Sequence, residues 1–366
     1  MKNYNFYFLV LFFSAAVLTA CNNEEVPENP FPSELVIGCY IVNSGVYGQG
    51  GASISKFDYE TSEITNFYYQ AQNGGNELLP FMQYANAFND SVFLIGNAPD
   101  QIITLNPLFR QTRNGLTGVL ENPRYFVGDG DYLYISCWGT DPDWADMPGS
   151  YIAKYNITTN SVEKTFAMPG GPEGLIISNG KLYAALNYVN QLGVLDLTSE
   201  TVSTITTPAV SSYFLKDKDG NLYFTMLSTY ADFSEETGIG FINTTTDQVE
   251  AIYTLENVST GYGSMMQADK SFTKIYLIAS TFDENWNVSG EVAVFDVASK
   301  MFSEKPVISD IPGISGLVVN PVNNDIYVFS AESATSAGNM KVYSSDGTFK
   351  NDYGVGSFPT GAFFLE

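Results

Sequence analysis

Residues 172–199 read PEGLIISNGKLYAALNYVNQLGVLDLTS. They contain three short apolar segments, and the first two are separated by Asn179-Gly180, a pair that tolerates positive φ in tight hairpins. The third segment ends at Asp196, whose side chain can cap the Thr198-Ser199 turn that follows. The segments are shorter than typical helices, and turn residues bound them. The stretch therefore predicts three consecutive antiparallel strands.

The same unit recurs along the chain, and its second strand is the easiest part to recognise. Seven such strands are present: Cys39-Tyr40-Ile41-Val42, Val92-Phe93-Leu94-Ile95, Leu133-Tyr134-Ile135-Ser136, Leu182-Tyr183-Ala184-Ala185, Leu222-Tyr223-Phe224-Thr225, Ile275-Tyr276-Leu277-Ile278 and Ile326-Tyr327-Val328-Phe329. Their aromatic residues lie between 40 and 53 positions apart. A period of this length is typical of propeller blades, so the sequence predicts an all-β, seven-bladed β-propeller.

The two ends of the repeat complement each other. The first unit begins directly at its second strand, whereas the last unit is followed by one spare strand, Phe358-Pro359-Thr360-Gly361-Ala362-Phe363-Phe364. This strand has the same proline-initiated form as the first strand that begins Asn122-Pro123-Arg124-Tyr125. We therefore predict that the C-terminal strand joins the N-terminal blade and closes the ring without an exposed edge.

The N-terminus is typical of an exported protein. Lys2 precedes an apolar run from Phe6 to Val17, and Leu18-Thr19-Ala20-Cys21 matches the lipobox of bacterial lipoproteins. We therefore predict a signal peptide over 1–20, a lipidated tether over 21–33 with the lipid on Cys21, and the propeller over 34–366. The acidic segment after Cys21 resembles a surface-export signal of Bacteroidetes lipoproteins. The expected location is the outer membrane, lipid-anchored and facing the cell exterior.

Composition excludes several function classes. The 366 residues include 16 Lys and Arg, 40 Asp and Glu and no histidine, which gives a formal net charge of −24. An acidic chain is a poor partner for nucleic acid, and the lack of histidine excludes histidine-based triads. Cys39 and Cys137 lie inside apolar strand patterns, where we expect two buried thiols without a disulfide.

Strand direction alternates within a blade, so the loops after the second strands share one face with the connections between blades. Those loops vary most in length, at 43–51, 138–149, 228–238, 281–290 and 332–339, and we call their side the elaborated face. Seven aromatic residues are expected there: Tyr47, Trp138, Trp144, Tyr188, Tyr230, Phe233 and Trp286. They predict a recognition surface at the mouth of the central channel. The alternative is that these rings pack their own loops.

Signals for chemistry are weak. Asp141, Asp143 and Asp146 are close enough in sequence to suggest a Ca²⁺ loop, but the one-three-five spacing of an EF-hand is missing, and a solvated acidic loop is the alternative. No carboxylate pair stands out among 40 acidic residues. We therefore expect a binding protein and not an enzyme, with no catalytic residues, cofactor or metal.

The whole mature chain resembles the YncE-like seven-bladed propeller lipoproteins of Bacteroidetes. Within them it is similar to the surface lipoproteins that bind cobalamin above an outer-membrane vitamin B12 transporter. The likeness is carried by the lipobox, the blade pattern, the opening Tyr40-Ile41-Val42-Asn43-Ser44-Gly45 and the strand Ala52-Ser53-Ile54-Ser55-Lys56-Phe57-Asp58. Ser44 replaces an acid that is usual in the family.

The resemblance implies non-covalent capture of a corrinoid and its transfer to a TonB-dependent transporter. The aromatic residues would meet the flat macrocycle. The amide fringe would find polar partners in Asn43, Asn97, Asn187 and Gln191. Two other functions remain open at this point: an adhesion or surface-layer module that binds protein or glycan, and a metal-assisted hydrolase or lactonase.

Overall fold

The computed structural model describes residues 38–113, 115–140, 145–227, 237–255, 265–282 and 288–365. In these ranges the chain forms seven antiparallel sheets, and six of them are built from strands that follow one another in the sequence. The predicted all-β, seven-bladed propeller is confirmed. None of the helices in the described ranges is long and apolar enough to cross a membrane.

The first three blades occupy the N-terminal part of the described chain. The first contains β1 (Gly38–Asn43), β2 (Ser53–Asp58) and β3 (Glu63–Thr65), followed by the short helix α1 (Tyr68–Gln72). The second contains β4 (Met82–Phe88), β5 (Ser91–Asn97), β6 (Asp100–Leu105) and β7 (Leu116–Thr117). The third contains β8 (Pro123–Asp129), β9 (Tyr132–Cys137), β10 (Tyr151–Asn156) and β11 (Ser161–Ala167).

Four further blades follow in the same order of strands. The fourth contains β12 (Pro172–Ser178), β13 (Lys181–Leu186), β14 (Gln191–Asp196) and β15 (Val202–Thr206). The fifth contains β16 (Phe214–Lys216), β17 (Leu222–Met226), β18 (Gly238–Asn243) and β19 (Gln248–Thr254). The sixth contains β20 (Met266–Ala268), β21 (Lys274–Phe282), β22 (Val288–Asp296), β23 (Met301–Phe302) and β24 (Ile308–Pro312). The seventh contains β25 (Ile314–Val319), β26 (Ile326–Ser330), β27 (Ala337–Tyr343) and β28 (Phe349–Ser357).

The last strand, β29 (Pro359–Leu365), returns to the first blade. It pairs antiparallel with β1, with Phe363 opposite Tyr40 and Ala362 opposite Ile41. The first sheet therefore has the order β29-β1-β2-β3, with β29 as its innermost strand. The predicted closure is confirmed, because the first and last strands of the described chain pair with each other in one sheet.

The hydrophobic core is divided into seven clusters, one between each pair of neighbouring blades. The second strand of each blade lies between two other strands of its sheet and is covered on both faces by neighbouring blades. Both faces of such a strand need apolar side chains, which explains its continuous apolar sequence. All seven aromatic residues of the repeated motif are buried: Tyr40, Phe93, Tyr134, Tyr183, Tyr223, Tyr276 and Tyr327.

The turns use the chemistry that the sequence predicts. Asn89, Asn179 and Asn324 have φ values between 48° and 61°, which asparagine adopts more readily than most residues. On the same side of the disc, Asp196 Oδ1 accepts hydrogen bonds from the backbone N–H groups of Thr198 and Ser199, at 3.0 and 2.7 Å. These turns are short, in contrast to the longer loops of the elaborated face.

The sixth blade differs from the four-stranded pattern. Its outer strand is divided into β23 and β24, and both pair with β22. Pro306 lies in the interruption and has no N–H to donate to a ladder, which accounts for the break. In addition, β21 and β22 continue beyond the pair of Thr281 and Ser289, so both ends of the variable loop expected at 281–290 are strand.

Cys39 and Cys137 are buried free thiols, as the sequence predicts. Burial in apolar surroundings raises the pKa of Cys137 to about 12 and that of Cys39 further. Neither sulfur is a thiolate at neutral pH, so both act as small core side chains.

Candidate functional site

A cavity of about 670 Å³ lies where the innermost strands of the blades begin. Every blade contributes to its wall through the start of its inner strand or the residue just before it: Thr360, Gln83, Arg124, Glu173, Tyr213, Gln267 and Ser315. The second strands end beside it and add Val42 and Asn97. The cavity therefore opens on the elaborated face, around the axis of the ring.

A repeated irregularity of the inner strands directs side chains into this cavity. In five blades the pairing of the inner strand with its neighbour shifts register at one place near the start of the strand. The shifts occur at Thr360, Gln83, Arg124, Glu173 and Ser315. A bulge of this kind inserts a residue that has no partner in the ladder, and it re-aims that side chain. All five of these side chains line the cavity.

Arg124 and Glu173 form a two-point ion pair across the boundary between the third and fourth blades. The Arg124 Nε donates to Glu173 Oε2 at 2.8 Å, and its Nη2 donates to Oε1 at 3.1 Å. Ser136 Oγ donates to the backbone carbonyl of Glu173 at 2.7 Å and fixes the start of β12. Only 17% of the Arg124 side chain and 10% of the Glu173 side chain are exposed. The pair is therefore a rigid, largely desolvated part of the wall.

Trp138 supports this ion pair from behind. The Arg124 guanidinium carbon lies 3.9 Å from the centroid of the indole ring, within cation–π range. Trp138 Nε1 donates to the carbonyl of Pro172 at 3.1 Å, and Tyr188 packs edge-on against the indole with centroids 5.4 Å apart. Trp138 and Tyr188 thus lie together, and Trp138 joins two blades and holds Arg124. Trp138 itself does not line the cavity.

Three tyrosines form an aromatic wall inside the cavity. Tyr84 and Tyr125 are stacked with centroids 3.7 Å apart, and Tyr213 lies edge-on to Tyr125 at 6.4 Å. Burial is the main cause that raises the pKa of each of these phenols. The hydroxyls therefore stay protonated across the physiological range. Asn86 Nδ2 donates to Tyr84 Oη at 2.9 Å, so the wall combines flat apolar faces with neutral polar groups.

Two of the residues predicted from sequence line the cavity directly. Tyr47 is 62% exposed and stands at the mouth, with its ring edge-on to Phe81 at 5.6 Å. Asn97 is 6% exposed, and its Nδ2 donates to Gln83 Oε1 at 3.4 Å. A large exposed aromatic at a cavity mouth is a typical recognition anchor.

The other predicted residues lie elsewhere. Asn43 is buried beneath its loop and its Nδ2 donates to Ser55 Oγ at 2.9 Å, while Asn187 Oδ1 accepts from Ser212 Oγ at 2.6 Å. Both asparagines hold loops in place, and neither lines the cavity. Gln191 begins the third strand of its blade and is also absent from the cavity wall. Cys21, Trp144, Tyr230, Phe233 and Trp286 lie outside the described residues, as do Asp141 and Asp143.

Sequence reasoning missed the residues that form most of the wall, above all Arg124, Glu173 and Gln83. A signal was present, because Arg124 and Glu173 each follow the proline that opens an inner strand. The same rule identifies Thr360 after Pro359. In the described part of the chain, no group of three or more Cys, Asp and Glu side chains is placed to hold a metal ion.

The profile of a domain of unknown function, DUF5074, matches residues 37–365. The chain belongs to the DUF5074 family. No curated protein matches this DUF5074 chain.

Solved structures share the fold at low sequence identity. A periplasmic gluconolactonase of Pseudomonas aeruginosa has a TM-score of 0.66 and 12% identity, over 90% of this chain and 99% of that one. A putative 6-phosphogluconolactonase of Bacteroides uniformis has a TM-score of 0.64 and 12% identity, over 90% and 100%. A quinoprotein alcohol dehydrogenase-like protein of Bacteroides thetaiotaomicron has a TM-score of 0.64 and 16% identity, over 90% and 78%. These likenesses establish the propeller fold and not an activity.

The comparisons correct one expectation. The lack of histidine and of a carboxylate signature led us to expect that the protein is not an enzyme. That conclusion is wrong as an inference from composition, because two structural neighbours are named as lactonases, which are enzymes. The ion pair of Arg124 and Glu173 also places a carboxylate and a guanidinium on the cavity wall, which the sequence did not reveal.

Proposed function

We propose that this DUF5074 protein binds a small organic molecule non-covalently in the cavity at the mouth of its central channel. The observation that carries the proposal is the wall itself, to which all seven blades contribute. Its volume of about 670 Å³ lies within the range of roughly 300–1,000 Å³ that is common for ligand sites. Flat tyrosine faces alternate there with a few fixed polar groups, as in sites that bind and orient a metabolite.

The resemblance noted from sequence supplies a named candidate, a corrinoid such as cobalamin. A corrinoid has a flat apolar ring and a fringe of amide groups, and the cavity offers aromatic rings at Tyr47 and Tyr125 together with amide side chains at Gln83 and Asn97. In the same proposal, a lipid on Cys21 holds the protein on the outer membrane, and the ligand passes to a TonB-dependent transporter.

Titration of the purified mature chain with cyanocobalamin tests the named ligand. We expect saturable quenching of protein fluorescence at micromolar ligand, and weaker binding by at least tenfold in Tyr47→Ala. The matched control is Phe67→Ala, another exposed aromatic that does not line the cavity. An absence of binding at micromolar ligand would remove cobalamin from the proposal. Binding of surface glycans or proteins instead would favour the adhesion function.

A second function, lactone hydrolysis, is favoured by the Arg124–Glu173 pair. A guanidinium can stabilise the oxyanion that forms when a lactone carbonyl is attacked, and a carboxylate can act as general base toward water. Both groups lie on one wall of the cavity. The test is the rate of acid release from δ-gluconolactone above the spontaneous rate. Hydrolysis that is lost in Glu173→Gln would establish this activity, whereas equal rates with and without protein would exclude it for this substrate.

A further inference from the structure

The charged groups of the cavity wall compensate each other. Among the 23 described residues that line the cavity, Arg124 and Glu173 are the ones that carry a formal charge. They bond each other at two points, so their charges compensate and neither offers a free counter-charge to a ligand ion. A ligand ion that enters would lose its hydration without gaining a free counter-charge, which costs more than the entry of a neutral group. The wall therefore selects against ions.

The other polar groups of the cavity wall are amides and hydroxyls, and several of them already form hydrogen bonds within the protein. Ser315 Oγ donates to the carbonyl of Pro359 at 2.6 Å, and the hydroxyls of Ser44 and Thr360 bond each other at 2.8 Å. Asn86 uses its Nδ2 on Tyr84 and its Oδ1 on the N–H of Ala87.

Asn97 differs from these groups. Its Nδ2 donates to Gln83 Oε1, but its Oδ1 is buried and has no hydrogen-bond partner among the described residues. The residue is more than nine-tenths buried and lines the cavity. A buried acceptor that lacks a donor costs free energy, and a ligand that supplies the donor recovers it.

From these observations we infer that the cavity takes a ligand with an uncharged N–H or O–H donor, such as a carboxamide or an alcohol, and that Asn97 Oδ1 accepts this hydrogen bond. This inference rests on the binding function proposed above and specifies its ligand class. A carboxylate would bring only acceptors to an acceptor. An ammonium would supply donors, but it would bury a charge beside a carboxylate that Arg124 already occupies. The flat part of the ligand packs against the tyrosine wall.

Three probes with one ring system test the ligand class: indole-3-acetamide, indole-3-acetate and tryptamine, which are neutral, anionic and cationic at pH 7. Saturation-transfer NMR titrations against the purified mature chain give the three dissociation constants. We expect the acetamide to bind at least tenfold more tightly than either ion. Equal or tighter binding of the acetate or of tryptamine would overturn the inference while leaving a binding cavity in place.

Two variants test the role of Asn97. Asn97→Leu removes the acceptor and should weaken acetamide binding about tenfold. Asn97→Asp keeps an acceptor but gains a charge and loses the donor to Gln83 Oε1, so it should bind the acetamide more weakly than the parent and more tightly than Asn97→Leu. Acetamide binding in Asn97→Asp that is no tighter than in Asn97→Leu would refute the assignment of the acceptor. Gln191→Leu, at a residue outside the cavity wall, is the matched control.

Different results would refute the binding function and the ligand class. If neither cyanocobalamin nor any of the three probes binds, the proposed binding function is wrong. If the probes bind but do not distinguish charge, or if Asn97→Leu binds the acetamide as the parent does, the function stands and the inference about ligand class is wrong.

Discussion

Removal of one partner from the Arg124–Glu173 pair should destabilise the fold strongly. Arg124→Met keeps an apolar stem of similar length and removes the two hydrogen bonds of 2.8 and 3.1 Å to the carboxylate. Glu173 then remains with only a tenth of its side chain exposed. Loss of one partner from a buried pair costs about 3–5 kcal/mol, and we expect the lower end, about 3 kcal/mol, because the pair borders a cavity that admits water.

A double-mutant cycle separates the pairing from other effects of substitution. Glu173→Gln alone should cost about 2 kcal/mol, because the amide still accepts one hydrogen bond from the guanidinium. With both changes the loss should be about 3 kcal/mol rather than the sum of about 5, since neither variant group leaves an unpaired charge. The control is Lys164→Met, which removes one of two lysines from the exposed carboxylate of Glu200 and should leave the unfolding midpoint unchanged.

Urea unfolding followed by circular dichroism gives these free energies, and the slope of each transition shows whether the folded state stays comparable. Single losses that add within about 0.5 kcal/mol in the double variant would refute the reasoning. In that case the two side chains stabilise the fold independently, Arg124 by packing on Trp138 and Glu173 at the start of β12, and the ion pair itself adds no coupling energy.

Three further changes have expected outcomes. Tyr47→Ala should weaken ligand binding at least tenfold without changing the free energy of unfolding, because Tyr47 is 62% exposed. A lower free energy of unfolding in urea, together with the weaker binding, would contradict this. Gly240→Ala should cost about 2 kcal/mol in urea unfolding, since an added Cβ would lie 2.0 Å from the Phe224 ring. Hydrogen bonds from Ser199 hold the pKa of Asp196 below its usual value. The ionised aspartate therefore stabilises the fold at pH values above about 4, its pKa in the unfolded chain, and this stabilisation is lost as the pH falls through the lower pKa of the folded state. Asp196→Asn should therefore flatten the fall of Tm between pH 5 and pH 2 in calorimetry.

The repeated blade was predictable because it depends on local rules. The hairpin turn at Asn179-Gly180 and the Asx turn at Asp196 are specified by the residues within them. The aromatic residue of each second strand is buried because neighbouring blades cover both faces of its sheet, and the regular repeat of blades is visible in the sequence. The closure of the ring by Phe358–Phe364 was predictable because a missing first strand and a spare last strand can be counted.

The wall of the cavity was much less predictable, because it is assembled from residues far apart in the sequence. Arg124 and Glu173 are 49 positions apart, and their pairing follows only when two neighbouring blades are packed. Loop length and aromatic content pointed to Trp138, but its indole supports Arg124 from behind instead of lining the cavity. Aromatic residues on long loops satisfy two demands, recognition and packing, and sequence alone does not separate them.

The construction of the wall also separates stability from selection of the ligand. In five blades a wall residue lies at the same place, the bulge near the start of the inner strand, where the ladder is interrupted and the side chain points into the cavity. Substitution of Gln83 should therefore change what the cavity accepts at little cost to the seven core clusters. Arg124 and Glu173 differ, because they join two blades as well as lining the cavity. The ion pair thus fixes the geometry of the site, and the neutral residues around it determine which ligand fits.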